Sequence, residues 1–391
     1  MELAANLTRE DGLVLGEIGS VLIALGIAAF FASKLRFSAV PIFLSAGLFF
    51  GNGGIVELNL SDDFLNLGAQ IGAILLLLLL GLEYSAGELV ESVRQRRSLG
   101  LIDVLLNGIP GAIFGYLMGW GLIGALVLGG ITYVSSSGIA AQLIKDGSLS
   151  GLNSTKRAIS VLVIEDLFLA VYLPIISALI ASVALVTGLI SISIALLIAG
   201  AALLLAARGL HLPHAPSIMG DSATLLLTVF GAALLASGLA TVIGFSGAVA
   251  AFLVGLILTG DVAIVARVRL APLRDLFAAI FFLFFGLQTD PADIPAVLLP
   301  AFLLAFLGIG SKWLTAWWAM RDAPEEKGVM RVAAILIPRG EFSIVIAGLA
   351  AGAAFSAELQ SLTITYVILT TVAASVLIRF CSNRPERYLS E

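Results

Sequence analysis

Hydrophobic positions in this chain come in long unbroken blocks. "LVLGEIGSVLIALGIAAFFAS" near the start and "TITYVILTTVAASVLIRF" near the end belong to a series that recurs along the whole length. An apolar block of about 17 to 25 residues, wound into a helix, crosses the roughly 30 Å hydrocarbon layer of a membrane. Barrel strands would instead alternate polar and apolar residues over about ten positions, and these blocks do not. Cutting the pattern at turn-rich or charged breaks predicts thirteen spans, near 13–31, 38–51, 64–82, 100–119, 122–143, 158–181, 184–206, 222–239, 242–259, 276–288, 296–318, 332–352 and 361–379.

Composition agrees. Of 391 residues, 60% are hydrophobic and 12% charged, and the mean hydropathy is +1.09, outside the range of ordinary soluble domains. The basic residues add an orientation. "SKLRF", "ESVRQRRS", "KDGSLSGLNSTKR", "ARGLHLPH", "ARVRLAPLRD", "MRDAPEEKGVMR" and "RFCSNRPER" fall in alternate connections and hold 18 of the 21 Lys and Arg residues. Connections rich in Lys and Arg stay on the cytoplasmic side. The other side carries Arg9 and the acids Glu57, Asp62, Asp63, Asp290, Asp293 and Glu358. The expectation is a multi-pass protein of a prokaryotic cytoplasmic (inner) membrane, N-terminus outside and C-terminus inside, surrounded by lipid and with no nucleic-acid partner. "MELAANLTRED" lacks a basic leader, so the first block reads as a retained span. A lone cysteine, Cys381, allows no intramolecular disulfide.

Against this background "ISVLVIEDLFLAVYLP", residues 159–174, places Glu165 and Asp166 side by side within a span. Lys312, Arg339 and Glu341 are also inside spans. Each such charge costs about 2.5 to 3.5 kcal/mol at a helix centre on insertion scales, so the five should cluster or face a wet cavity. Three acids against two bases leave one negative charge for a proton or a cation to neutralise. Neighbouring helical residues point about 100° apart, so Glu165 and Asp166 do not share one ligand shell: one faces a cavity, the other a neighbouring helix. Arg339 and Glu341 read as an internal charge brace.

Two runs are built to interrupt a helix. "GGITYVSSSGIAAQL", 129–143, puts Ser135, Ser136, Ser137 and Gly138 inside a span, and "LIPRGEFS" puts Pro338 and Gly340 inside another. Proline removes a helical hydrogen bond and glycine frees the backbone. Non-helical backbone at that depth survives only where protein or a water-filled cavity covers it. With the span at 184–206 taken as a linker, the breaks fall in the fifth span of two six-span halves of opposite orientation, the inverted-repeat pattern of transporters that bind near the midplane.

These residues together resemble the cation:proton antiporter-2 family, which includes bacterial glutathione-gated potassium efflux systems and sodium/proton antiporters. The resemblance spans roughly residues 13 to 380. It rests on the acid pair, "SGAVAAFLVGLILTG" at 246–260, "DLFAAIFFLFFGLQTD" at 275–290 and "RGEF" at 339–342. It implies an all-α membrane fold with inverted repeats and two crossing broken helices. A core domain (about 100–181 and 296–379) would slide as an elevator against a dimerisation domain (about 13–82 and 222–288), with 184–206 as linker helix, in a homodimer. It also implies that Asp166 binds the cation and the proton in competition, with Glu165 and Ser135 to Ser137 beside it. Lys312, Arg339 and Glu341 would be charge partners. Relatives carry Asp, Asn or Gln where this chain has Glu165. The expected cargo is K+, ahead of Na+, against H+, with no cofactor and no enzymatic chemistry. The potassium efflux systems carry a C-terminal nucleotide-binding domain; this chain shows no G-x-G-x-x-G run, which leaves room for a separate cytoplasmic regulatory subunit.

A sodium-coupled solute symporter and a cation channel remain as alternatives, although no potassium-type selectivity-filter sequence is present. An intramembrane aspartyl protease needs two aspartates facing each other across helices, which adjacent residues on one helix cannot supply. Asp103 is expected to reach water at the cytoplasmic end of its span, and Asn107 to make a structural polar contact. His211 and His214 read as solvated loop residues, and Trp313, Trp317 and Trp318 as an interfacial belt.

Overall fold

The computed structural model describes residues 9–35, 38–51, 53–54, 62–83, 97–181, 222–242, 246–258, 260–322 and 324–381. The span expected at 184–206 and both histidines lie outside them. Every regular element described is helical: α1 (Arg9–Leu35), α2 (Val40–Phe50), α3 (Asp62–Glu83), α4 (Arg97–Leu117), α5 (Gly121–Tyr133), α6 (Ser137–Asp146), α7 (Asn153–Ala181), α8 (Ser222–Val242), α9 (Gly247–Ile257) and α10 (Asp261–Leu287), then a 3₁₀ turn (Pro291–Asp293), α11 (Ile294–Met320), α12 (Gly328–Leu336), α13 (Glu341–Leu349) and α14 (Ser356–Cys381). Nine segments among the described residues are long and apolar enough to cross a membrane, and α2, α9 and Ile18–Lys34 of α1 are shorter apolar helices.

Most predicted spans coincide with helices, with one marked difference. The span expected at 276–288 is the second half of α10, which already begins at Asp261. "ARVRLAPLRD" was expected as a connection because of its charge. Yet Arg, Leu and Ala are good helix formers, and α10 continues through Pro272.

Solvent preference is inverted relative to a soluble bundle. Leu299, Phe306, Leu239 and Ile23 are 61–77% exposed, while Asp103, Glu165, Lys312 and Arg339 are wholly buried. Lipid tails solvate the former as well as protein does, and nothing in hydrocarbon solvates the latter.

The helices pack in two neighbourhoods. In one, α3 lies against α9 and α10, α2 against α10, and α8 against α9. In the other, α4 packs on α5 and α11, α11 on α12 and α14, and α7 on α12. Trp120, between α4 and α5, stacks on Phe355 at 5.5 Å and donates its indole N–H to Glu358 of α14 at 2.9 Å. Within this second neighbourhood two helices are interrupted: α5 gives way to α6 across 134–136, and α12 to α13 across 337–340.

Candidate functional site

The two interruptions meet. The Ser136 N–H donates to the Pro338 carbonyl at 2.8 Å, and the Ser135 hydroxyl lies 2.7 Å from the Leu336 carbonyl. α5 packs beside α13, and α6 beside α12. Local sequence explains each break. Pro338 has no N–H to continue α12 and disfavours helix in the residue before it. Ser136 caps α6, its hydroxyl accepting from the Ile139 N–H at 3.2 Å, the usual part of serine at a helix start. Gly340 lies close against Ser136 across the crossing: a Cβ there would stand 2.7 Å from Ser136 Oγ.

The antiparallel arrangement brings two helix C-termini and two N-termini to one place, and their exposed carbonyls and amides need partners. Arg339 serves the carbonyls. Its guanidinium donates to the Thr132 carbonyl at 2.8 and 3.1 Å and to the carbonyls of Leu336 and Ile337 at 2.9 and 3.0 Å. It thereby closes the ends of α5 and α12 with one positive charge, the sign that helix C-termini favour. Glu341 serves the amides: its carboxylate accepts from the Gly138 N–H at 3.2 Å and from the Ser136 hydroxyl at 2.5 Å, at the start of α6. Among the described residues no ion pair joins Arg339 to Glu341. The two charges brace the crossing separately, each against backbone of opposite polarity.

Glu165 enters from α7. It accepts from the Ser135 N–H at 2.5 Å, and its Oε1 lies 3.0 Å from the Ser135 hydroxyl and 2.6 Å from Lys312 Nζ. Asp166, next along α7, is 2% exposed. The same Lys312 Nζ is 3.0 Å from Asp103 Oδ1 of α4, and both partners are completely buried. Asp103 Oδ1 also accepts from Asn107 at 2.8 Å and from Thr315 at 3.0 Å. Lys312 stands 5.6 Å above the Tyr133 ring. Ser137, the first residue of α6, is half-buried and Gly138 exposed, so the α6 N-terminus is the open side of an otherwise closed centre.

The fold therefore brings together Glu165, Asp166, Ser135, Ser136, Lys312, Arg339 and Glu341, with Ser137 at the edge. Asp103 departs from expectation: it does not reach water but is the second counter-ion of Lys312. Its place two turns inside α4 suggested an interfacial carboxylate, and only the approach of α11 shows where it points. A signal was present in the i, i+4 spacing of Asp103 and Asn107, which puts both on one face. Counting Asp103, four acids face two bases, an excess of two negative charges rather than one.

The sequence matches, over residues 20–383, the family model described as sodium/hydrogen exchanger, transmembrane. The chain belongs to this family of cation/proton antiporters, which are transporters rather than enzymes. It is similar to the K(+)/H(+) antiporter subunit KhtU of Bacillus subtilis, 29% identical over 93% of this chain and 92% of that protein. It is also similar to the ammonium/H(+) antiporter subunit AmhT of Alkalihalophilus pseudofirmus, 27% identical over 95% and 94%. Among solved structures it resembles the sodium proton antiporter MjNhaP1 of Methanocaldococcus jannaschii, with a TM-score of 0.67 at 20% identity over 96% of this chain and 99% of that one, a likeness of fold.

Proposed function

We propose that this protein exchanges a monovalent cation, K+ in preference to Na+, for protons across the cytoplasmic membrane. The observation that carries the reading is the buried acid pair of α7 set against the meeting point of two broken helices. Asp166 takes either a proton or a partly dehydrated cation, never both. The backbone around Ser135 to Ser137 completes the shell, and Glu165 lies beside it, turned to Ser135 and Lys312. A carboxylate that is empty and charged is costly to move through hydrocarbon, so the loaded forms cross and the empty one does not. That difference couples the two flows.

The moving part is the core of about 100–181 and 296–379. It slides as an elevator against the scaffold of about 13–82 and 222–288, and 184–206 links them. That most of the helix packing falls within one neighbourhood or the other supports this division. The protein works as a homodimer, N-termini outside. The preference for K+ draws on the similarity to a K(+)/H(+) antiporter subunit. That two relatives bear the name subunit supports a separate cytoplasmic partner that regulates exchange.

The test is dye-reported proton movement in proteoliposomes, with K+, Na+, Li+, ammonium or choline added in turn across an imposed pH gradient. Cation-dependent dissipation, largest with K+ and abolished in Asp166→Asn while the protein stays folded, is the expected result. Unchanged exchange in Asp166→Asn would remove Asp166 from the site. Uptake of an organic solute that requires Na+, without proton movement, would replace the antiporter by a symporter.

A further inference from the structure

The triad of Glu165, Lys312 and Asp103 contains one ammonium and two carboxylates. Lys312 has three protons to donate; Glu165 Oε1 and Asp103 Oδ1 take two, at 2.6 and 3.0 Å. Asp103 Oδ1 is crowded with three donors, whereas Asp103 Oδ2 is buried and has no hydrogen-bond partner. An acceptor left open in the interior is costly, and here it belongs to the carboxyl group already beside the lysine. Asn107 and Thr315 hold that group in place. The other ionisable groups around it are Glu165 and Asp166 on α7 and Tyr133 on α5, with Arg339 on the far side of Ser135.

Consider what happens when Glu165 gives up Lys312, whether to a proton or to a cation beside Asp166. With Glu165 as sole partner, Lys312 would become a buried unpaired ammonium and would shed its proton. With Asp103 present, the Lys312 N–H that Glu165 no longer accepts has the open Oδ2 to turn to, and the ammonium stays paired. We propose that Asp103 is a standby counter-ion that keeps Lys312 charged through the whole cycle, so that Lys312 contributes no proton to exchange and one cation moves against one proton without net charge. Asp103 is thus a positioning residue acting through Lys312. The inference rests on the antiport reading given above.

The experiment pairs the pH-dye assay with charge displacement recorded on a solid-supported membrane carrying the same proteoliposomes. Wild-type protein is expected to give cation-driven proton movement with no accompanying current. Asp103→Asn is expected to gain a cation-dependent current, because Lys312 now discharges its proton when Glu165 leaves it, and Asp103→Glu to return to silence. In Asp103→Asn/Lys312→Gln the gained current should vanish. A wild-type current that scales with proton movement would overturn the proposal and leave antiport standing, even if Asp103→Asn does not fold. A folded, exchanging Asp103→Asn that remains silent would also overturn it. Absence of any cation-driven proton movement in the wild type would overturn the antiport reading and this inference with it.

Discussion

Arg339 shows how one side chain holds the crossing together. It is fully buried and donates to three carbonyls from two different helix ends, while the Thr371 hydroxyl donates at 3.1 Å to its own carbonyl. Removing one partner of a buried hydrogen bond costs about 1–3 kcal/mol for each group stranded. Arg339→Gln, which can reach at most one helix end, should therefore lower stability by at least about 3 kcal/mol, read as an earlier thermal transition in detergent. Arg339→Lys should recover only part of it, since an ammonium lacks the planar fork that spans both helix ends. The residue types of this site were legible in the sequence: charges inside spans and a serine run beside a Pro-Arg-Gly-Glu run. Their partners were not. Spacing along the chain cannot say that Arg339 turns to Thr132, 207 positions away, or that Lys312 divides itself between two helices.

At the scale of helices, close approach is written in glycine. α2 and α10 touch at Gly47 and Gly286: a Cβ on Gly286 would lie 2.8 Å from the Gly47 Cα and would meet the Leu44 carbonyl. Backbone cannot move aside as a flexible side chain would. Gly286→Val should cost about 1–3 kcal/mol by overpacking and lower the thermal transition. Gly231→Ala on α8, where a Cβ meets nothing within 4 Å, should be neutral or stabilising by up to about 1 kcal/mol. Helix existence was readable from the apolar blocks because a membrane demands length and hydrophobicity of every span. Helix extent was less so. α10 runs through a basic stretch that looked like a loop, and charge reports which side of the membrane a segment occupies, not whether it is wound.

At the scale of the molecule, three helices are tied at one end by one carboxylate and one guanidinium. Glu325, between α11 and α12, accepts from the Ser154 N–H and hydroxyl at the start of α7, at 2.8 and 2.9 Å. Arg331 of α12 donates to it at 2.7 Å and also to the Cys381 carbonyl at the end of α14 at 3.1 Å. Burial by itself pushes the Glu325 carboxyl up, but the Ser154 hydrogen bonds and the Arg331 charge outweigh it and hold the group below its ordinary value of 4.5. A folded value below the unfolded one adds stability that is full above the unfolded value and is lost as pH falls. Glu325→Gln should therefore melt earlier than wild type near neutral pH, and the gap should narrow as pH drops below about 4.5. Thermal scans across that range check it; a gap independent of pH would mean that Glu325 acts by packing alone.

The sequence by itself determined that this is a helical membrane protein, where two of its helices break, and five of the six charged residues gathered at the crossing. Those properties follow from the cost of polar groups in hydrocarbon, which acts on each segment separately. Only the tertiary structure decided how the charges divide: Arg339 and Glu341 onto opposite helix ends, Glu165 and Asp103 onto one lysine. That division depends on which helices cross and in what direction, and no local pattern of residues encodes the partner that a buried charge will meet.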